Sequence, residues 1–440
     1  MRYDIQLPDN KSLKIRRMVL AYVRGAEIPP VSDMDARDVR VTWHALQAIR
    51  ESFVETCHGV SLQTGEAHVS PVVVDVADCG AAYRFLMPVL AATPGTWLLT
   101  GTTRLLQRPI LPLVKVLRGI GAEIERVGDG WLIRGKTFFT PKEASPGASL
   151  RRGNPAVGPV ETRNLMSLQC GGTENDNDSD GGLSLTLDAS QSSQMASALV
   201  MAAPLLNLRT LQLTTTDIPS SSYLRMTLAL ARDWPVEIPG VVMPDVPIGA
   251  PGDWSAALFW FAHARLHPEN EYRISPLALE SIQGDSVVAR WFDEMNVSVS
   301  CRDARPCVFT DPYIDISAKP LEEMPRMVLD VRDNLDTVPV MAALAALLPA
   351  DITFRNVRNL RYKESDRLEA LTEQLAPYAG IELSENELRV CGGGGPIAPG
   401  AAFNTRHDHR LAMAFLLFPG AVLDDVGCLV KSYPGLLAQM

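Results

Sequence analysis

The sequence has few cysteines, no long apolar run and a deficit of positive charge. The cysteines form an odd set without a CxxC pair, which disfavours both a disulfide framework and a zinc knuckle. No apolar run approaches the roughly 18 residues that a membrane span needs, and Met1 to Leu7 lacks the basic-then-apolar layout of a signal peptide. We therefore expect a cytoplasmic protein with plain thiols. The seven cysteines are Cys57, Cys79, Cys170, Cys301, Cys307, Cys391 and Cys428.

The charge balance limits the class of ligand. Lys and Arg number 41 against 51 Asp and Glu, a net charge of −10, which disfavours binding to nucleic acid over a broad surface. Hydrophobic residues make up 46% and charged residues 21% of the 440 positions, as in ordinary globular proteins of two or three domains. A positively charged binding site must therefore be confined to a small part of the surface.

One pattern recurs six times along the chain: a short polar cluster, an apolar or amphipathic helix, and a segment rich in β-formers. Further helices end at a glycine or another breaker that precedes an alternating strand, as at Gly121 to Ile124. The pattern predicts β-α-β-α-β-like units. The six polar clusters are Asn10 to Ser12, Asp78 to Gly80, Gln191 to Gln194, Gly252 to Ser255, Asn334 to Asp336 and His407 to Arg410.

The most apolar helices, such as Met341 to Leu348, must be surrounded on nearly all sides, so we expect them inside the fold. A single polar cluster before such a helix is typical of a helix cap. Several buried parallel helices, however, would bring their N-termini together. Because a helix N-terminus carries unpaired N–H groups and partial positive charge, this arrangement predicts a site for anions such as phosphate.

Two charged segments carry candidate chemistry. In Arg361 to Arg367, Lys363 and Arg367 lie one helical turn apart, a spacing suited to one anion, with Glu364 beside them. In His407 to Arg410, the His-x-His spacing suits a metal, but no further ligand accompanies it, so a metal site is disfavoured.

The stretch Ala144 to Gly182 interrupts the repeating pattern. It has an excess of Ser, Gly, Pro, Asn and Asp and little apolar content, which predicts a long loop or disordered insertion. We expect it to contribute no chemistry.

The motifs resemble those of a known family, the 5-enolpyruvylshikimate-3-phosphate (EPSP) synthases. Arg361 to Arg367 is similar to the family signature Arg-x-Lys-Glu-Ser/Thr-Asp-Arg, and Leu7 to Arg16 resembles its opening motif. The resemblance spans nearly the whole chain apart from Ala144 to Gly182. Further similar segments follow in the family's order, at Asp78 to Arg84, Gln107 to Pro109, Ser192 to Gln194, Ser281 to Asp285, Asp408 to Arg410 and Lys431 to Pro434.

The resemblance implies an α/β fold, a two-domain inside-out α/β barrel in which each domain has three βαβαββ units around buried parallel helices. Because the first strand of the family crosses into the C-terminal domain, residues 1–10 with 252–440 would form one domain and residues 11–251 the other. The implied reaction moves the enolpyruvyl group of phosphoenolpyruvate to the 5-hydroxyl of shikimate 3-phosphate, in the shikimate pathway to aromatic amino acids. It implies a monomer that acts on these small molecules without metal or organic cofactor, nucleic acid or membrane.

The same resemblance implies the site residues. Asp336 and Glu364 would exchange protons with the substrates, and Lys11 would assist. The basic side chains of the two domains should repel one another across the empty cleft. Anionic substrates should neutralise them and draw the two domains together. Shikimate 3-phosphate would contact Lys11, Ser12, Arg16, Ser192, Ser193, Gln194, Ser220, Tyr223, Asp336, Asn359 and Lys363. Phosphoenolpyruvate would contact Lys11, Gly80, Arg108, Gln194, Arg367, Arg410 and Lys431.

Departures from the family pattern leave alternatives open. Asp78, Ala81 and Phe85 stand where the family usually has Asn, Thr and Pro, which motivates a homologue that binds ligands without turnover. The sister enzyme that acts on UDP-N-acetylglucosamine shares fold and chemistry, but lacks the Lys-Glu-Ser-Asp-Arg run and usually uses a loop cysteine. Because susceptible family members keep glycine where Gly80 stands, the resemblance also implies inhibition by glyphosate in competition with phosphoenolpyruvate.

Overall fold

The structure, a computed structural model, describes residues 1–59, 70–138, 182–215, 218–234, 236–241, 245–302, 312–321 and 324–440, with the side chains of 53–59 and 302 left aside. Apart from Gly182, the interrupting stretch from Ala144 onward lies outside the described residues. In the described ranges, no helix combines the length and apolar character needed to cross a bilayer.

The strands are β1 (Arg2–Gln6), β2 (Val72–Asp75), β3 (Gly95–Thr100), β4 (Glu123–Val127), β5 (Gly130–Gly135), β6 (Leu183–Leu187), β7 (Leu208–Leu213), β8 (Glu271–Ser275), β9 (Val297–Arg302), β10 (Tyr313–Ala318), β11 (Arg326–Asp330), β12 (Asp351–Arg355), β13 (Ala379–Leu383), β14 (Glu387–Gly392), β15 (Ala402–Phe403) and β16 (Val422–Leu423).

The helices are α1 (Lys11–Val23), α2 (Arg37–Gly59), α3 (Gly80–Ala91), α4 (Thr103–Leu106), α5 (Leu111–Gly119), α6 (Ser193–Met201), α7 (Ala203–Leu206), α8 (Ser221–Leu230), α9 (Trp254–Leu266), α10 (Val288–Asp293), α11 (Val338–Leu347), α12 (Arg367–Leu375), α13 (His409–Phe415) and α14 (Leu436–Gln439). Short 3₁₀ helices cover Gly284–Val287, Leu335–Thr337, Arg358–Tyr362 and Gly427–Lys431.

The sheets repeat one topology. The four-stranded sheets have the orders β2-β3-β5-β4, β11-β12-β14-β13 and β1-β8-β10-β9, and in each the first two strands are parallel and the others antiparallel. A parallel pair requires a crossover, and the buried helices α3 and α11 supply it for the first two sheets. These sheets are complete βαβαββ units. The pairs β6-β7 and β15-β16 are two-stranded versions with α6 and α13 as their crossovers.

The helices predicted to lie inside are buried. All residues of α13 and nearly all of α3, α9 and α11 are inaccessible to solvent. In α11, Pro339 occupies the first turn, where its missing N–H costs no helical hydrogen bond. Helix α3 packs on α6, and α11 packs on α9 and α13, so the inner helices contact one another beneath the sheets.

Buried apolar side chains form two large clusters. One extends from Ile15 to Ile238, and the other joins Ile5 and Leu7 to residues between Trp254 and Leu436. Strand β1 pairs with β8 in the second half of the chain, and the backbone N–H of Asn10 donates to the carbonyl of Pro251 at 2.6 Å. Each half of the chain thus has its own apolar core, and the chain passes between the two halves near residues 10 and 251. Both features support the proposed division into residues 1–10 with 252–440 and residues 11–251.

Candidate active site

A polar cavity of about 90 Å³ lies where several helix N-termini meet. Its wall includes the first residues of α1, α3, α6 and α13 and the 3₁₀ turn that precedes α11. Five of the six polar clusters found in the sequence therefore supply residues to one site, as an anion site built from helix N-termini requires. The cluster Gly252 to Ser255 does not line the cavity, and its Asp253 caps α9 by accepting from the backbone N–H of Ser255 at 2.8 Å.

The residues that sequence reasoning assigned to substrates converge on this cavity. Most of them line its wall, and the remaining ones are buried cations directly behind it. The wall contains Lys11, Ser12, Gly80, Arg108, Ser192, Ser193, Gln194, Ser220, Tyr223, Asp336, Asn359, Lys363 and Glu364. The cations behind it are Arg16, Arg367, Arg410 and Lys431.

Asp336 is the carboxylate most heavily surrounded by cations. Its Oδ1 accepts from Lys363 Nζ at 3.2 Å and from Arg367 Nη1 at 2.8 Å, and Arg410 Nη2 lies 3.8 Å from its Oδ2. Burial would raise the pKa of Asp336, but these three cations outweigh it and hold that pKa well below its usual range. Asp336 is therefore ionised at neutral pH.

Glu364 lies between cations from both halves of the chain. Arg108 Nη1 lies 3.4 Å from its Oε1, and Arg367 Nη2 donates to its Oε2 at 3.0 Å. Burial would raise the pKa of Glu364, but Arg108 and Arg367 hold it well below the usual range. Glu364 is therefore ionised at neutral pH, and any anion that neutralised these arginines would raise its pKa.

Lys11 approaches the cavity from the start of α1. Its Nζ donates to Asp38 Oδ2 at 3.0 Å and lies 3.5 Å from His409 Nε2. Burial and the positive charge of Lys11 hold the pKa of His409 well below its usual range, so the imidazole is neutral at neutral pH. A neutral His409 accepts from the ammonium group and thereby helps to orient it.

Arg16 lies behind the wall on the side assigned to shikimate 3-phosphate. Its Nε donates to Thr227 Oγ1 at 2.7 Å, and its guanidinium packs over the rings of Phe85 at 5.0 Å and Tyr223 at 5.6 Å. Burial lowers the pKa of Arg16 to about 10, which leaves it charged at neutral pH. Phe85, one of the departures from the family pattern, thus supports the guanidinium of Arg16 through its ring face.

The start of α3 is capped by a thiol. Cys79, not Asp78, caps the helix, because the backbone N–H of Ala82 donates to Cys79 Sγ at 3.4 Å. The Asp78 carboxylate instead pairs with Lys431 at 2.7 Å and with Arg37 at 2.6 Å.

Residues of the cavity wall that sequence reasoning did not assign to the site include Asp38, Arg84 and His409. Arg84 stands in a matched motif and donates from Nη1 to Gln194 Oε1 at 2.8 Å, so the motif itself was its signal. His409 stands in the matched segment Asp408 to Arg410, but only a metal-binding role was considered for it. Asp38 stands in the first turn of α2, outside every motif, and its sequence surroundings carry no signal of a site.

A cleft that combines helix N-termini, buried cations and two ionised carboxylates defines a protein for small molecules with several negative charges. The chain matches the family model described as EPSP synthase (3-phosphoshikimate 1-carboxyvinyltransferase) over residues 2–132 and 176–440. It therefore belongs to the EPSP synthase family. The unmatched residues 133–175 overlap the interrupting stretch predicted from composition.

Individual relatives agree with this assignment. A 3-phosphoshikimate 1-carboxyvinyltransferase of Bacteroides fragilis is 30% identical over 454 residues, covering 99% of this chain and 93% of that protein. One of Nostoc punctiforme is 26% identical, covering 98% and 93%. A solved EPSP synthase structure from Acinetobacter baumannii superposes with a TM-score of 0.61 at 18% identity, covering 100% of this chain and 94% of that one. The fold is thus the predicted two-domain inside-out α/β fold.

Proposed function

We propose that this chain transfers the enolpyruvyl group of phosphoenolpyruvate to the 5-hydroxyl of shikimate 3-phosphate and releases phosphate. The observation that carries the proposal is that Asp336 and Glu364 face one cavity and share Arg367, which donates to both at 2.8 and 3.0 Å. Two reactants that each carry a carboxylate and a phosphate need cations fixed in advance, and this cavity has them.

The two carboxylates suit different steps. Addition requires a base that takes the proton of the 5-hydroxyl and an acid that protonates the methylene carbon, and elimination of phosphate reverses this proton traffic. Asp336 suits the base because it is ionised, although the three cations around it weaken it as a base until substrate anions neutralise them. Glu364 suits the acid after substrate anions have neutralised Arg108 and Arg367. Lys11, which also lines the cavity, can neutralise charge on the leaving phosphate.

The substrate contacts stay as the resemblance implied them. Shikimate 3-phosphate would occupy the part of the wall with Ser192, Ser193 and Asn359, and phosphoenolpyruvate the part with Gly80 and Arg108. We further propose that the protein acts as a monomer in the cytoplasm, without metal or organic cofactor.

A cysteine-dependent transfer to UDP-N-acetylglucosamine is less well supported. Of the cysteines in the described ranges, none lines the cavity. Cys79 lies next to it, but burial and the charge of Asp38 raise the pKa of this thiol to about 12, so it is not a ready nucleophile. A homologue without turnover is also less well supported, because both proton-transfer carboxylates are present in the cavity.

The test of function is phosphate release by the purified protein. We expect release with phosphoenolpyruvate and shikimate 3-phosphate together and none with either alone. Parallel reactions with UDP-N-acetylglucosamine as the acceptor distinguish the sister activity. Binding of both substrates without phosphate release would instead identify the non-catalytic homologue.

Gly80→Ala should weaken phosphoenolpyruvate binding and glyphosate inhibition together. A Cβ at Gly80 would lie 2.6 Å from Arg108 Nη1, so the guanidinium must move from the place where Glu364 holds it. We expect the KM for phosphoenolpyruvate to rise about tenfold. Inhibition of the wild type by glyphosate should compete with phosphoenolpyruvate and strengthen when shikimate 3-phosphate is present.

Gly119→Ala is the matched control, because a Cβ there meets no atom within 4 Å among the described residues. Initial rates at several phosphoenolpyruvate and glyphosate concentrations provide both constants. An unchanged KM in Gly80→Ala would contradict the placement of phosphoenolpyruvate beside Arg108. If the wild type resists glyphosate and Ala81→Thr restores inhibition, the obstruction lies on α3.

A further inference from the structure

Lys431, assigned to phosphoenolpyruvate, is held by carboxylates and a carbonyl of the protein. Its Nζ donates to the Asp78 carbonyl at 2.8 Å and forms ion pairs with Asp78 Oδ2 at 2.7 Å and with Asp38 Oδ1 at 3.4 Å. Asp38 Oδ1 accepts no hydrogen bond among the described residues, so Asp78 is the main partner of this ammonium group. The Lys431 side chain is 1% exposed, so water does not compete for its N–H donors.

Asp78 is held in this position from its other side. Arg37 Nη2 donates to Asp78 Oδ1 at 2.6 Å, while Asp78 Oδ2 faces Lys431. Burial would raise the pKa of Asp78, but Lys431 and Arg37 outweigh it and lower that pKa, so the carboxylate is ionised at neutral pH. The pair also joins the two halves of the chain, since Asp78 precedes α3 and Lys431 ends the 3₁₀ helix Gly427–Lys431.

The charge of Asp78 opposes an anionic ligand. The motif that this segment resembles has a neutral Asn here, which can accept a hydrogen bond from lysine without adding charge. In this chain a full negative charge lies beside Lys431 and within electrostatic range of Glu364. An arriving phosphate or carboxylate must approach Lys431 beside the carboxylate of Asp78, which repels the ligand and already partly neutralises the ammonium group, and both effects weaken binding.

We propose that Asp78 determines the affinity for phosphoenolpyruvate by competing with its anionic groups for Lys431. The inference rests on the proposed function, because that function places phosphoenolpyruvate at Lys431. It concerns this ligand alone. Among the described residues, those assigned to shikimate 3-phosphate, such as Ser192 and Asn359, form no hydrogen bond or ion pair with Asp78, whose partners are Arg37 and Lys431.

Asp78→Asn should lower the KM for phosphoenolpyruvate about tenfold and leave the KM for shikimate 3-phosphate within twofold. The Asn oxygen still accepts from Lys431, so the fold is preserved. Asp75→Asn is the control, because it removes the same charge three residues away on the exposed end of β2. Arg37→Gln should act in the opposite direction, raising the KM for phosphoenolpyruvate, because Asp78 then pairs with Lys431 alone.

Calorimetric titration of phosphoenolpyruvate into each variant without the second substrate gives a readout independent of turnover, and we expect the same order of Kd. An Asp78→Asn variant whose KM and Kd match those of Asp75→Asn overturns the role of Asp78. Absence of phosphate release by the wild type instead contradicts the proposed function, and the Kd values then decide on Asp78 by themselves.

Discussion

Glu364→Gln is expected to lower turnover about 1,000-fold, the range of a lost general acid, while binding of shikimate 3-phosphate changes no more than about threefold. Gln has the size of Glu and its amide oxygen can still accept from Arg367, which lies 3.0 Å from the native carboxylate. It cannot deliver a proton to the methylene carbon. The loss should therefore fall on kcat, as for an interaction that acts in the transition state.

Two measurements separate this role from a structural one. Glu369→Gln, an exposed site near the start of α12 that pairs with Arg406 at 3.6 Å, should keep wild-type kcat. In the wild type, kcat should fall as pH rises through the pKa of Glu364 in the substrate complex, because an acid must be protonated. The residual kcat of Glu364→Gln should lack this dependence. A variant with near wild-type kcat would remove Glu364 from the proton transfer.

The repeating units could be predicted from the sequence because they depend on local patterns. Apolar helices such as α11, breakers before alternating strands, and polar clusters at helix starts all leave a mark within about ten residues. The short strands β15 and β16 were not distinguished from full units, because two residues are too few to carry a period. The sequence pattern therefore predicts the βαβαββ units. It does not predict that some units have only two strands.

The ion pairs of the cavity could not be predicted in the same way. Lys431 and Asp78 are 353 residues apart, and nothing local in either segment indicates the partner. Sequence reasoning placed cations on both sides of the cleft and expected them to repel. In the structure, carboxylates instead face them, with Glu364 opposite Arg108 and Asp78 opposite Lys431. Attractive pairs therefore join the two halves of the chain, which the expected repulsion left out, and the closure on substrate binding stays a prediction.

Asp336→Asn is expected to lower turnover about 1,000-fold through loss of the base that takes the proton of the 5-hydroxyl. The Asn oxygen can accept from Lys363 or Arg367, so shikimate 3-phosphate should still bind. Arg367 loses the negative charge of Asp336 in this variant, but it keeps its ion pair with Asp408 at 2.8 Å. We expect the free energy of unfolding to decrease by about 1–3 kcal/mol, because one buried charge-assisted contact is weakened and the others persist.

The pH dependence distinguishes this base from the acid Glu364. A base must be deprotonated, so its activity is lost as pH falls through its pKa. Cations hold the pKa of Asp336 well below its usual range, and kcat/KM should therefore show no loss from this group above about pH 4. Asp366→Asn is the control, because Asn still caps α12 while the pair with Arg361 at 3.0 Å is lost. Near wild-type turnover in Asp336→Asn, or an equal loss in Asp366→Asn, would show that the proton of the 5-hydroxyl goes elsewhere.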